Sequence, residues 1–166
     1  MTPQQAATLK AALLADPALA QYITDYRDDL IRDYYNETAS PDFYLWRLVV
    51  TQDEIMQNGF DWVRVDNLSV GKARIWEWLF TNSQRAINPS KANVRAGIDE
   101  TWKGTAADLA VRAAVYTHCK RLATRAEKLL ANTSGGGNGA VDTPAKVSED
   151  IVLSTSDISA MLNGER

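Results

Sequence analysis

A mainly α fold is what this sequence predicts, on three observations: N-cap residues stand directly before prolines, capping boxes recur, and apolar residues repeat at helical spacing. Thr2-Pro3, Asp16-Pro17, Ser40-Pro41 and Asn88-Pro89 each set a side-chain oxygen before a proline. The oxygen accepts an otherwise unpaired N–H, and the proline loses nothing at the first helical position because its N–H would be unpaired there anyway. Two more helix starts come from Thr51-Gln52-Asp53-Glu54, a capping box, and Thr105-Ala106-Ala107-Asp108, its shorter acidic analogue.

Taken in order, the first helix starts at Pro3. In the second, Leu19, Ile23, Tyr26, Leu30 and Tyr34 recur at steps of four, three, four and four, so one stripe faces a core. The run 43–50, Phe-Tyr-Leu-Trp-Arg-Leu-Val-Val, is too short for periodicity to separate strand from helix, and the Ser40-Pro41 start favours helix. Between Asp66 and Asn82, Leu68, Ile75, Trp76, Leu79 and Phe80 form an apolar sector wide enough for a central helix. The longest helix is expected from Thr105 to Ala131, with Val111, Val115, Cys119, Leu122, Ala126 and Leu129 inward and Arg121, Arg125 and Lys128 on another face. Residues 1–131 therefore read as a helical bundle body. Residues 132–148 read as a flexible linker, since Asn132–Gly139 holds four of the nine glycines with Ser and Thr, and residues 149–166 read as an extended C-terminal tail. Tyr116 is the last aromatic residue, so the tail has little with which to build a core of its own, yet it carries two apolar islands: Ile151, Val152 and Leu153, then Ile158, Met161 and Leu162. Such islands imply that a partner supplies the missing surface.

The 166 residues are about one domain's worth, and 45% hydrophobic with 23% charged residues is ordinary globular composition. No apolar run reaches the ~18 residues of a membrane span, Met1–Asp16 lacks the pattern of a signal peptide, and a cytoplasmic compartment is expected. Residues 1–131 hold 16 acidic and 16 basic side chains, whereas residues 132–166 hold five acidic and two basic. A neutral body is a poor match for a protein whose main task is gripping nucleic acid, because phosphate neutralisation supplies most of that affinity.

Chemistry-bearing residues are sparse. His118 and Cys119 are adjacent and would point about 100° apart on a helix, so they do not form a base and nucleophile pair; Cys119 reads as a small core residue. Gly71-Lys72 lacks the rest of a phosphate loop, and no Gly-x-Ser-x-Gly occurs. The expectation is no enzyme, no cofactor and no metal. Asp25, Asp28, Asp29 and Asp33 include i,i+4 pairs that could hold a cation, but without the loop spacing of a calcium site a solvated face is favoured. Arg121, Arg125 and Lys128 could contact phosphate or complement a helix C-terminus. The five tryptophans Trp46, Trp62, Trp76, Trp78 and Trp102 read mainly as core, with one or two at a subunit interface.

The stretch Val50-Thr51-Gln52-Asp53-Glu54-Ile55-Met56-Gln57-Asn58-Gly59-Phe60-Asp61-Trp62, then Val65 to Phe80, Ile87 to Ile98, Trp102 and Gly104 to Leu109, resembles the head-tail connector, or adaptor, proteins of long-tailed bacteriophages. The resemblance covers residues 43–130 and lapses after Asn132. It implies a mainly helical structural subunit of the virion neck, assembled in the host cytoplasm. Such subunits form a homo-oligomeric ring, commonly a dodecamer, between the portal protein and a tail or neck completion protein, and the ring extends the DNA channel without gripping DNA tightly. On that reading Ile151, Val152, Leu153, Ile158, Met161 and Leu162 would dock on the portal, and Asp25, Asp28, Asp29 and Asp33 would line the channel. Two alternatives stand beside it: a DNA-packaging accessory that contacts nucleic acid through Arg121, Arg125 and Lys128, and a tail-completion protein.

Overall fold

The computed structural model describes residues 1–57, 60–131 and 136–164, and the chain is mainly α: ten helices and two small two-stranded sheets among the described residues. Helix α1 (Pro3–Ala15) starts as its sequence requires. Thr2 Oγ1 accepts from the Gln5 N–H at 3.2 Å while Gln5 Oε1 accepts from the Thr2 N–H at 2.7 Å, and the helix buries Leu9 and Leu13. Asp16-Pro17 delays its helix: the Asp16 carboxylate accepts from the Ala18 N–H in a turn, and α2 (Ala20–Thr24) begins three residues after the proline. The stripe from Leu19 to Tyr34 belongs to two helices. Tyr26 takes a positive φ of 56° and ends α2, so its ring is exposed, and α3 (Asp28–Asn36) buries Ile31 and Tyr35 instead.

The helix expected after Ser40 is corrected. Residues Tyr44–Trp46 form strand β1, antiparallel to β4 (Lys120–Leu122) with Leu45 opposite Arg121. On β1's other side the Trp46 N–H donates to the Ala145 carbonyl and the Ala145 N–H donates to the Tyr44 carbonyl, both at 2.9 Å. Backbone bonding on both edges outweighs an N-cap signal worth about 1 kcal/mol. Strand β2 (Val50–Thr51) pairs with β3 (Ala86–Ile87), and Thr51 with Glu54 forms the expected capping box of α4 (Gln52–Ile55). The helices α5 (Trp62–Asp66), α6 (Val70–Leu79) and α7 (Ala92–Thr101) follow; α7 starts at Ala92 because Asn88 turns the chain through the Ser90 N–H first.

Nor is the long helix from 105 to 131 continuous. Helix α8 (Ala106–His118) opens with the Thr105/Asp108 box, the chain then extends into β4, and α9 (Arg125–Leu130) restarts on a second box in which Thr124 caps and Glu127 reciprocates. One core gathers Trp46, Val50, Ile55, Phe60, Trp76, Phe80, Ile98, Trp102, Val111, Val115 and Cys119. The Trp76 and Trp102 rings meet edge-on at 5.2 Å, with Phe60 stacked on Trp76 at 5.9 Å.

A second core packs α1 and α3 against the C-terminal segment, which corrects the extended, flexible tail. Ile151, Leu153, Ile158, Met161 and Leu162 are buried beside Leu9, Leu13, Leu19, Ile31, Tyr35 and Ala126, and residues Thr155–Leu162 form α10 with a Ser154/Asp157 capping box. Of the expected linker, residues 132–135 lie outside the described residues. The remainder is tied down: Ala145 and Val147 are buried with Leu45 and Ala123, and the Gly139 carbonyl accepts from the Tyr44 N–H at 2.7 Å. Gly139 has φ +84°, and a Cβ there would lie 2.1 Å from the Phe43 ring, so this glycine serves close approach.

Candidate functional site

The six residues expected to dock on a partner mostly complete the chain's own core. Five are buried; Val152, whose side chain points away from its neighbours Ile151 and Leu153, is 80% exposed. Polar contacts hold this segment in register. Asn36 grips Leu153 twice, its Nδ2 donating to the carbonyl at 2.8 Å and its Oδ1 accepting from the N–H at 2.9 Å. The Arg32 guanidinium donates to Thr155 Oγ1 at 3.0 Å, and the Ser159 hydroxyl donates to the Asp28 carboxylate. The surface missing from a sequence reading of the tail is supplied by α1 and α3, from the other end of the sequence.

The aspartates do not share one environment. Asp28 is buried at 7% exposure, Asp29 pairs with Arg27 at 2.8 Å, Asp33 pairs with Arg32 at 2.6 Å, and Asp25 accepts from the Gln21 amide at 2.8 Å. The Arg27 guanidinium, hydrogen-bonded to Asp29, holds that carboxyl down at about 2. The four carboxylates do not form one exposed face: Asp28 is buried, and each charge has its own local partner.

The basic face is split: Arg121 lies on β4, whereas Arg125 and Lys128 stay together on α9 and line one cleft with Asp16, Tyr34 and Tyr35. Arg121 donates to both Glu127 oxygens at 2.7 and 2.6 Å and to Asp150 at 2.6 Å. Arg125 pairs with Glu37 at 3.1 Å, with its guanidinium carbon 3.9 Å from the Tyr34 ring centroid, and the Lys128 ammonium donates to the Pro41 carbonyl at 3.2 Å. Phosphate contact by this trio would first require breaking three carboxylate pairs. Among the described residues Glu127 is the most deeply placed carboxylate, 2% exposed. Burial pushes its carboxyl up, but hydrogen bonds from Arg121 and from the Thr124 and Ile151 N–H groups outweigh that and bring it below the ordinary glutamate range.

Cys119 caps α8 inside the first core, where burial pushes its thiol up to about 12, and the carbonyl of His118 accepts from Arg47. Among the described residues no group of three or more His, Cys, Asp or Glu side chains is placed to hold a metal ion. Among these described residues, no helix is long and apolar enough to cross a membrane.

The feature that stands out is apolar. Seven large hydrophobic side chains are more than half exposed among the described residues, and four of them, Trp62, Val63, Val70 and Trp78, lie on the consecutive helices α5 and α6 at 57, 62, 76 and 66%. Trp62 is anchored from behind: it meets Phe60 edge-on at 5.3 Å, and Phe60 belongs to the first core. Exposed Arg74 and Glu77 share the outer face of α6 with Val70 and Trp78. Part of this was available from the sequence, because Trp76 and Trp78 stand two residues apart on one helix, about 200° around it, and cannot both point inward. No protein-family model, curated protein or solved structure matches the chain.

Proposed function

We propose that this chain is a structural subunit of the neck of a long-tailed bacteriophage, a head-tail adaptor. It assembles into a homo-oligomeric ring beneath the portal protein, docks the next tail or neck component, and extends the DNA channel. The observation that carries the reading is the exposed Trp62, Val63, Val70 and Trp78 surface, which falls within the stretch that resembles the adaptor family. Large apolar side chains rarely cluster on a free surface, and each one buried against a neighbouring copy contributes about 1.5–3 kcal/mol. The exposed pair Arg74 and Glu77 beside them gives a charged rim that sets register rather than affinity. A formally neutral body suits a channel through which DNA slides. In this reading the helical body is the two packed cores, and the C-terminal segment serves the subunit's own fold. The pairing of Arg121 and Arg125 with carboxylates weighs against the packaging-accessory alternative.

Sedimentation and electron microscopy of the purified chain, alone and with the portal protein of the same virion, test the assignment. Rings that capture portal are expected, with capture lost in a Trp62→Asp/Trp78→Asp variant that still folds by circular dichroism. A chain that stays monomeric with portal present and never captures it would overturn the adaptor reading, and capture by tail tube alone would transfer the assignment to tail completion.

A further inference from the structure

Between the start of α1, the turn before α7, the C-terminal end of α9 and residues 146–148 lies an open cleft of about 710 Å³. Its lining includes two lysines, Lys91 and Lys146, and no acidic residue. Neither lysine makes an ion pair or side-chain hydrogen bond among the described residues, in contrast to Arg121 and Arg125, which are both paired. Gln4, Asn88 and Ser148 also line it, and the Gln4 and Asn88 amide N–H groups and the Ser148 hydroxyl donate to no acceptor among the described residues, Asn88 Oδ1 alone being engaged, by Ser90. Glu149, the nearest carboxylate along the chain, is not part of the wall and pairs with the Met1 ammonium at 3.3 Å. Leu129 and Val147 supply an apolar side.

Five side chains with spare donors, two of them cationic, form a site for an anion with several acceptor oxygens. A phosphoryl group has three or more such oxygens, and lysine binds it as a point charge without the planar fork that favours carboxylates. The volume exceeds what one phosphate fills, and the apolar side fits an attached organic group. We infer that this cleft binds the phosphate ester of a nucleotide, free or within a nucleic-acid strand, through Lys91 and Lys146. The inference is independent of ring formation, since the cleft shares no residue with the Trp62 and Trp78 surface.

The test is an NMR titration of the full chain with a 5′-mononucleotide, a short DNA duplex and succinate, following the backbone amides of Gln4, Lys91 and Val147. Saturable shifts with the mononucleotide or duplex are expected, weakened roughly tenfold or more in Lys91→Gln/Lys146→Gln and unchanged in Lys103→Gln, an exposed lysine elsewhere on the surface. Tighter binding of the duplex identifies a strand as the source of the phosphate, and tighter binding of the mononucleotide identifies a free one. No saturation by about 10 mM, equal weakening in the Lys103→Gln control, or equal response to succinate would each overturn the site. Because these shifts are read on the isolated chain, their absence leaves the ring and portal measurements to decide the adaptor assignment separately.

Discussion

Removing the Glu127 carboxylate should be among the most damaging single changes outside the aromatic core. In Glu127→Ala the Arg121 guanidinium loses two hydrogen bonds of 2.7 and 2.6 Å, the Thr124 N–H loses an acceptor at 3.0 Å, and the Ile151 N–H loses one at 3.2 Å. Breaking a buried ion pair from one side costs about 3–5 kcal/mol. Arg121 retains Asp150, which places the loss at the lower end, about 3 kcal/mol. With a urea dependence of about 2–3 kcal/mol per molar, the unfolding midpoint should fall by about 1–1.5 M. Asp150→Asn offers the contrast, because Asp150 is 61% exposed and its loss should cost under about 1 kcal/mol. Hydrogen exchange at the Ile151 amide should accelerate in Glu127→Ala more than exchange in α8. A midpoint shift below about 0.3 M, or unchanged protection at Ile151, would refute the claim that this carboxylate ties the C-terminal segment to the body.

Glu54, Asp108, Glu127 and Asp157 all have carboxyls depressed in the folded state, by hydrogen bonds from backbone N–H groups, hydroxyls or guanidinium groups. The unfolded chain then binds more protons at low pH, so stability is full above the ordinary carboxylate range and declines as pH falls through the depressed values. Urea midpoints at neutral pH and near pH 3 should show that decline, and Glu127→Gln should flatten it. Gly139→Ala forces a Cβ into the Phe43 ring at φ +84°, and a loss of about 2 kcal/mol or more is expected in the same unfolding assay. Trp76→Ala should cost about 3–5 kcal/mol at its 3% exposure, whereas Trp78→Ala in the isolated subunit should cost under about 1 kcal/mol. Cys119, with its thiol pushed up to about 12, should resist a disulfide reagent at pH 8 in the native chain and react after unfolding.

Helix starts with a reciprocal capping box were legible: Thr51/Glu54 and Thr105/Asp108 carry their helices in the structure, and Thr124/Glu127 and Ser154/Asp157 follow the same rule. A proline after an N-cap residue was a weaker guide, because Pro17 and Pro89 occupy turns three residues ahead of their helices and Pro41 precedes a strand. Local signals could not show that β1 has a partner on each edge, 76 and 100 or so residues away in the chain. The same blindness concealed the fate of Ile151, Leu153, Ile158, Met161 and Leu162, since their covering surface comes from the opposite end of the sequence. Glycine content was misleading at Gly139, where it reflects a tight approach to Phe43 rather than freedom. As for the candidate surface, the tryptophan cluster was visible, but which rings face solvent depends on how α5 and α6 lie on α7 and α8.

The second core closes only when both ends of the chain are present, and this orders the events of biosynthesis. Residues 46–119 hold the whole of the first core and can collapse while the ribosome is still at work. Leu9 and Leu13 emerge first and must wait for Ile158 and Leu162. At ordinary elongation rates that interval is roughly 7–30 s, during which the part of α1's apolar stripe that α10 covers stays open. A nascent chain halted before residue 150 therefore displays a finished half beside an adhesive helix, the state in which a holdase has most to grip and a neighbouring nascent chain most to tangle with.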